Sequence, residues 1–108
     1  MQLTCLGKQT QGGGSPTLFM TDRGTYVVQG WKVPGQPASV EIPAGLLRHL
    51  AGLPDLDASL QDTGRGSYVL AGEPVTDATA LAQLDIPGHE TCVEVGKRKG
   101  GVDGAAAG

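Results

Sequence analysis

Two segments of this chain repeat each other at a spacing of 42 residues, and this repeat constrains the fold more than any other feature. Residues 17–33 read TLFMTDRGTYVVQGWKV, and residues 59–75 read SLQDTGRGSYVLAGEPV. Eight of the 17 aligned positions are identical: Leu18/Leu60, Thr21/Thr63, Arg23/Arg65, Gly24/Gly66, Tyr26/Tyr68, Val27/Val69, Gly30/Gly72 and Val33/Val75. Repetition at a fixed period indicates one supersecondary unit used twice. We therefore expect a duplication whose two copies fold alike.

Each copy has the signals of a β-hairpin, with β-branched and aromatic residues on both sides of a glycine-containing turn. The first strand covers about 17–21 in one copy and 59–62 in the other. The second strand covers about 25–33 and 67–72. The turn glycine is expected to take a positive φ, which residues with a Cβ resist.

Two amphipathic helices are predicted outside the hairpins. The first begins at Pro43, because proline suits the first turn of a helix. Its apolar stripe is formed by Leu46, Leu47, Leu50 and Leu53, and Gly52 is placed to end it. The second helix is capped by Thr76 or Asp77 and continues through Leu84. Its inner face is formed by Ala80, Leu81 and Leu84.

Further strands are predicted at 2–6, 40–42 and 91–95. A shorter echo links residues 40–44 (VEIPA) with residues 84–88 (LDIPG). The order of elements predicts an α+β fold: an antiparallel β-sheet or small barrel made of two duplicated β-hairpins with two short helices.

The length of 108 residues allows one domain with one modest core. We expect a single domain over 1–95, a loop over 9–16 and a flexible C-terminal tail over 96–108. The tail is rich in glycine and alanine and cannot bury enough surface to offset its ordering entropy. No apolar run reaches the roughly 18 residues that a membrane helix needs, and the start has no secretory signal. These features predict a cytoplasmic protein without a membrane partner.

Residues that the two copies share are candidates for partner binding. Arg23 and Arg65 occupy the same place in the two hairpins, where a pair of arginines could grip a phosphate or carboxylate or only cap the turns. Tyr26 and Tyr68 could present hydroxyl groups to a partner or fill the core margin. Trp31 has no aromatic counterpart in the second copy, and an exposed tryptophan near a strand end is a typical interface anchor.

The sequence contains no recognisable catalytic motif, and we expect no enzymatic activity, no cofactor and no metal. Cys5 and Cys92 are expected to be free, buried thiols. Together with His49 and His89 they offer four potential zinc ligands, but a structural zinc site normally shows two tight ligand pairs. The net charge of −3 leaves few cations for a nucleic-acid surface.

The stretch from Thr21 to Trp31 (TDRGTYVVQGW), followed by VEIP at 40–43 and a leucine-rich helix, resembles the BldB-type small proteins of actinobacteria. The likeness covers about residues 17–53. It implies a self-associating developmental regulator without known enzymatic activity, found in clusters with helix-turn-helix regulators. It also implies that Arg23, Tyr26 and Trp31 matter most within the matching segment.

Three functional hypotheses follow from these features. The first is a small regulatory protein that forms a homodimer and binds another protein, such as a transcription factor, in transcriptional or developmental control. The second is a β-ribbon DNA-binding protein that uses Arg23 and Arg65, which the charge balance does not favour. The third is a small anion or ligand binder in which these two arginines converge.

Overall fold

The computed structural model of the chain describes residues 1–8, 16–84 and 86–98, and most of them form antiparallel strands. The strands in chain order are β1 (Leu3–Lys8), β2 (Thr17–Thr21), β3 (Thr25–Val33), β4 (Gln36–Pro43), β5 (Gln61–Asp62), β6 (Ser67–Ala71), β7 (Glu73–Pro74) and β8 (Glu90–Gly96). Two short helices accompany them, a 3₁₀ helix over Ala44–Leu50 and α1 over Ala78–Leu81. The predicted antiparallel β-sheet with two short helices is confirmed at this level.

All eight strands of the described residues belong to one sheet, in the order β1-β2-β3-β4-β6-β5, with β8 beside β3 and β7 beside β8. The central strand is β3, which pairs with β2 through Tyr26 to Gln29 and with β4 through Trp31 to Val33. It also pairs with β8 along Thr25–Trp31. Five consecutive residues of β3, 26–30, are buried, as expected for a strand covered on both faces.

The main core lies on one face of the sheet and under the 3₁₀ helix. It consists of Leu18, Tyr26, Val28, Val40, Ile42, Leu46, Leu50, Leu56, Leu70, Val93 and Val95. The strand residues of this set alternate with residues of the opposite face, which is the period-two pattern of β-strands. Burying each large aliphatic side chain contributes about 1.5–3 kcal/mol. The fold therefore depends on strands from both copies of the repeat.

The first helix is shorter and tighter than predicted. It is a 3₁₀ helix that ends at Leu50, and the next turn closes with Ala51 N–H donating to Arg48 O at 3.1 Å. Gly52, at φ 80°, then turns the chain away, as expected for a glycine after a helix. Leu46 and Leu50 are buried, but Leu53 is 38% exposed, so its assignment to the inner stripe was wrong.

The second helix is capped as predicted but stops early. The Asp77 carboxylate accepts a hydrogen bond from Ala80 N–H at 2.9 Å. After Leu81 the backbone bonds span three residues instead of four, because Leu84 N–H donates to Leu81 O. Ala80 is fully buried, whereas Leu81 is 40% exposed, so Leu81 does not lie on an inner face.

The predicted loop 9–16 and tail 96–108 fall largely outside the described residues. Within them, β8 extends through Gly96, and Lys97 forms a bridge with Leu56. No helix among residues 1–8, 16–84 and 86–98 is long and apolar enough to cross a membrane.

Candidate functional site

The turn between β2 and β3 ties its arginine to a distant strand. Thr21 Oγ1 accepts hydrogen bonds from Arg23 N–H at 3.1 Å and Thr25 N–H at 3.2 Å, and Gly24 takes φ 75°. The Arg23 guanidinium donates to Glu94 of β8 at 2.5 Å, and the Thr25 hydroxyl donates to the same carboxylate at 2.6 Å. These bonds hold the pKa of Glu94 below its usual value, the Arg23 bond contributing most.

The turn between β5 and β6 repeats this arrangement with a different strand. Thr63 Oγ1 accepts from Arg65 N–H at 3.2 Å, and Gly66 takes φ 80°. Glu41 of β4 receives a hydrogen bond from the Ser67 hydroxyl at 2.5 Å and from the Arg65 guanidinium at 3.0 Å. The Ser67 bond is the largest cause, and the Arg65 bond a further one, of a lowered pKa for Glu41. The positive φ expected at both turn glycines is confirmed.

Glu41 and Glu94 are the carboxylate partners of the two turn arginines, and the sequence analysis did not predict them. The signal was present, because VEIP at 40–43 and VEVG at 93–96 match at a spacing of 53 residues. The echo between 40–44 and 84–88 pointed elsewhere and was misleading, since Leu84 and Ile86 lie outside the strands. β4 and β8 therefore occupy equivalent positions beside the two turns.

The two arginines do not share a cavity. Arg23 lines a cavity of about 410 Å³ together with Glu73, Asp77, Glu94 and Met1, whose N-terminal ammonium pairs with Asp77 at 3.3 Å. Arg65 projects from the other hairpin, bonded to Glu41, and its side chain is 68% exposed. Each guanidinium is thus satisfied by a carboxylate of its own.

Directly opposed residues on the first hairpin and the strands beside it form a row across one face of the sheet. The row is Glu73, Glu94, Val27, Phe19 and Cys5, on β7, β8, β3, β2 and β1 respectively. This face points away from the main core, because residues that alternate with Tyr26 and Val28 lie on the opposite side. Nevertheless Val27 is fully buried, and Gln29 and Cys92, two residues further along the same face, are 2% and 3% exposed.

We call Phe19, Val27, Gln29 and Cys92 the covered face. The segment 75–84, which includes α1, begins beside it, where Val75 N–H donates to Cys92 O at 3.5 Å. At one end, Asp77 shares the cavity beside Arg23 and Glu94. At the other end, the Gln83 side chain accepts from Leu3 N–H on β1 at 3.0 Å. Asp77 and Gln83 also both contact Met1, so the segment is tied to the start of the chain, and its Ala80 is fully buried.

The corresponding row of the second hairpin is left open. It runs Trp31, Glu41, Val69 and Gln61, on β3, β4, β6 and β5. Each member stands at the repeat position of a member of the covered row, with Trp31 at the place of Glu73. Gln61 and Ala71 are exposed, and Trp31 and Val69 are partly exposed. We call Trp31, Gln61, Val69 and Ala71 the open face.

The candidate aromatic residues occupy three different environments. Tyr26 is fully buried in the core, and its hydroxyl donates to Pro54 O at 2.6 Å. Tyr68 packs partly buried at the core margin. Trp31 is partly exposed and lies outside the core cluster. Trp31 and Tyr68 therefore have surface that a partner could contact, whereas Tyr26 has none.

The cysteines are free but differ in environment. Cys92 is buried, and desolvation raises the pKa of its thiol to about 11. Cys5 is exposed on β1, so the expectation that both thiols are buried was wrong for Cys5: β1 pairs with β2 on one side, and its side chains are mostly exposed. The ring of His49 packs against Gly7, where a Cβ would stand 2.3 Å from it. Within the described ranges no three His, Cys, Asp or Glu side chains are placed to share a metal ion.

Comparison with protein-family models, curated proteins and solved structures found no match for this chain.

Proposed function

We propose that this chain is a small, non-enzymatic regulatory protein that acts in the cytoplasm by self-association and by contact with a protein partner. The observation that carries the proposal is the open face. Its repeat counterpart is buried at Val27, whereas Trp31, Val69 and Ala71 remain accessible. An accessible tryptophan beside smaller apolar side chains is typical of protein interfaces. Transcriptional or developmental control is the process that the BldB-type resemblance implies.

The charges of the site favour a protein partner over DNA or a small anion. Binding to a phosphate would require Arg23 or Arg65 to leave the carboxylate that each now contacts. The DNA-binding and anion-binding alternatives are therefore the weaker candidates.

The finer architecture belongs to the same proposal. We propose that the two hairpins are duplicated units and that β3, β4, β6 with β7, and β8 close a small barrel. The support is the pairing pattern: β8 pairs with both β3 and β7, and β4 pairs with both β3 and β6. In this barrel, the second strand of each hairpin would pair with a strand of the other unit.

Photo-crosslinking in cells that express the chain tests whether the open face meets a protein. The photoreactive residue p-benzoylphenylalanine replaces Trp31 in one variant and Glu73, its repeat counterpart on the other half, in a matched control. We expect polypeptide adducts at position 31 and few at position 73. Equal adducts at both positions, or none at position 31, would contradict the proposal.

Light scattering over about 5 μM to about 1 mM tests self-association, since this range covers the weak dissociation constants of small interfaces. A mass that rises with concentration supports it. A strict monomer throughout would remove self-association from the proposed function.

A further inference from the structure

We propose that the side chain of Gln83 blocks the outer edge of β1 and so prevents two copies of the chain from pairing through this strand. This inference is independent of the proposed function, because it concerns the edge of β1 and not the open face. It starts from the backbone groups that β1 directs away from the rest of the sheet.

β1 lies at one end of the strand order and, among the described strands, pairs with β2 alone. Asp22 N–H donates to Gln2 O at 3.1 Å, so the backbone of Gln2 faces β2. Alternate residues of an antiparallel strand bond to the same neighbour, so Thr4 also faces β2, whereas Leu3 and Cys5 direct their N–H and C=O groups outward. A row of such groups is a template on which another strand can add.

The carboxamide of Gln83 occupies the beginning of this row. Its oxygen accepts a hydrogen bond from Leu3 N–H at 3.0 Å, and its nitrogen donates to Met1 O at 2.9 Å. A residue of a parallel strand placed opposite Gln2 would make the same two bonds through its backbone. The side chain therefore takes the position of one residue of an added strand.

A third hydrogen bond fixes the orientation of this carboxamide. The nitrogen of Gln83 also donates to Thr79 O in α1 at 2.8 Å, so both of its N–H groups and its oxygen are used. The reversed orientation would place the carboxamide oxygen against two carbonyl oxygens. The contact with α1 thus keeps the acceptor of Gln83 directed at the edge of β1.

The blocked group is one that a symmetric pairing of two copies requires. When two β1 strands pair antiparallel about a two-fold axis at Thr4, Leu3 of each copy lies opposite Cys5 of the other. The outward N–H and C=O groups of both residues are then bonded in both copies. While Gln83 accepts from Leu3 N–H, this register loses the bonds of that N–H. Further along, the β-bulge between Cys5 and Gly7 interrupts regular pairing.

The side chains of β1 do not protect this part of the edge by themselves. Proteins commonly protect an edge strand with charged residues or proline. Residues 3–7 read LTCLG and contain neither, and Thr4 and Cys5 are exposed. Gln83 supplies the protection that the strand lacks.

Crosslinking at Cys5 tests the proposal on the full chain. A short bismaleimide joins Cys5 of two copies where their β1 strands lie side by side, and Cys92 is buried and does not compete. Yields over a concentration series give the dissociation constant of this dimer. We expect it to be about tenfold lower in Gln83→Ala than in the wild type, because one competing acceptor is removed from each copy. Gln2→Ala, at an exposed glutamine beside β1, is the control and should match the wild type.

Two further variants separate edge pairing from a general loss of structure. Gln83→Asn keeps the carboxamide but is one methylene too short, and it should pair as Gln83→Ala does even where the alanine variant fails to fold. The double variant Gln83→Ala, Cys5→Pro removes an outward N–H without removing a bond to β2. Light scattering should give this double variant the mass of the wild type at each concentration.

Equal crosslink yields in the wild type, Gln83→Ala and Gln83→Asn would overturn the proposal. So would association of Gln83→Ala that persists unchanged in the double variant, because the copies would then meet through a surface other than the edge of β1.

Discussion

At the scale of single residues, two glycines of the repeat are required by a close approach of neighbouring backbone. A Cβ on Gly30 would lie 2.6 Å from the carbonyl oxygen of Glu41, and one on Gly72 would lie 2.7 Å from that of Glu94. Both carbonyls belong to the carboxylate residues that the turn arginines bind. The repeat therefore contains glycine at these two positions because adjacent backbone lies close to them. The turn glycines are explained by a different cause, their positive φ.

Alanine at either crossing glycine should destabilise the fold. Gly30→Ala and Gly72→Ala each force a methyl group against backbone that cannot move away, and we expect a loss of about 1–3 kcal/mol in the free energy of unfolding. Gly88→Ala is the control, because nothing lies within 4 Å of its Cβ position. Urea denaturation followed by tryptophan fluorescence measures all three. An unchanged midpoint for both crossing variants would show that the strands can separate without cost.

At the scale of elements, each hairpin is fastened to a strand of the other half. Arg23 of the first hairpin reaches Glu94 on β8, and Arg65 of the second reaches Glu41 on β4. The threonine and serine hydroxyls of the turns add charge-assisted hydrogen bonds to the same carboxylates. The carboxylates are 15% and 20% exposed, so solvent screens them only in part.

These two carboxylates should make stability depend on pH. Their folded-state pKa values lie below the ordinary 4.5, so the folded state binds fewer protons than the unfolded state in acid. The stability that they contribute is complete above about pH 5 and decreases as the pH falls through the folded pKa values. Urea midpoints between pH 7 and pH 3 measure this loss.

The variants Glu41→Gln and Glu94→Gln should each lower the free energy of unfolding by about 1 kcal/mol at pH 7. The loss of stability between pH 7 and pH 3 should also be smaller in each variant, because the titrating carboxylate is gone. Glu73→Gln, an exposed carboxylate on β7, is the control and should follow the wild-type curve. A wild-type curve that is flat down to pH 3 would contradict the role assigned to the two carboxylates.

At the scale of the whole molecule, β8 joins strands from the first and second halves of the sequence. It pairs with β3 over its full length and with β7 at Glu94 and Val93, and Lys97 beyond it bridges to Leu56. Cys92 stands in the middle of β8, buried on the covered face. Access to this thiol therefore requires the fold around β8 to open.

Thiol alkylation should distinguish the exposed Cys5 from the buried Cys92. At pH 8, iodoacetamide should modify Cys5 readily and Cys92 very slowly, because burial blocks access and a pKa of about 11 leaves little thiolate. Intact-mass spectrometry should show one adduct on the native chain and two in urea, and the Cys5→Ser variant should show none when native. Equal rates for both thiols in the native chain would mean that β8 opens without global unfolding.

Much of the secondary structure could be predicted because its causes are local. The bounds of β2 and β3, the positive φ at Gly24 and the Asp77 cap all depend on residues within a few positions of one another. The leucine helix was overextended because the helical period continues to Leu53, while Gly52 ends the helix before it. The partners Glu41 and Glu94 escaped prediction because hairpin patterns do not specify which strand lies alongside.

The sequence by itself determined that two similar hairpins form, since alternation and turn glycines act within each segment. The tertiary structure decided how the hairpins meet. Arg23 and Glu94 are 71 residues apart, and Arg65 and Glu41 are 24 apart, so strand pairing alone brings these groups together. It also decided that Val27 is buried on one hairpin while Val69, its repeat counterpart, remains partly accessible on the other. Similar sequences in the two copies thus have unequal surroundings, because burial depends on what packs above a strand and not on the strand itself.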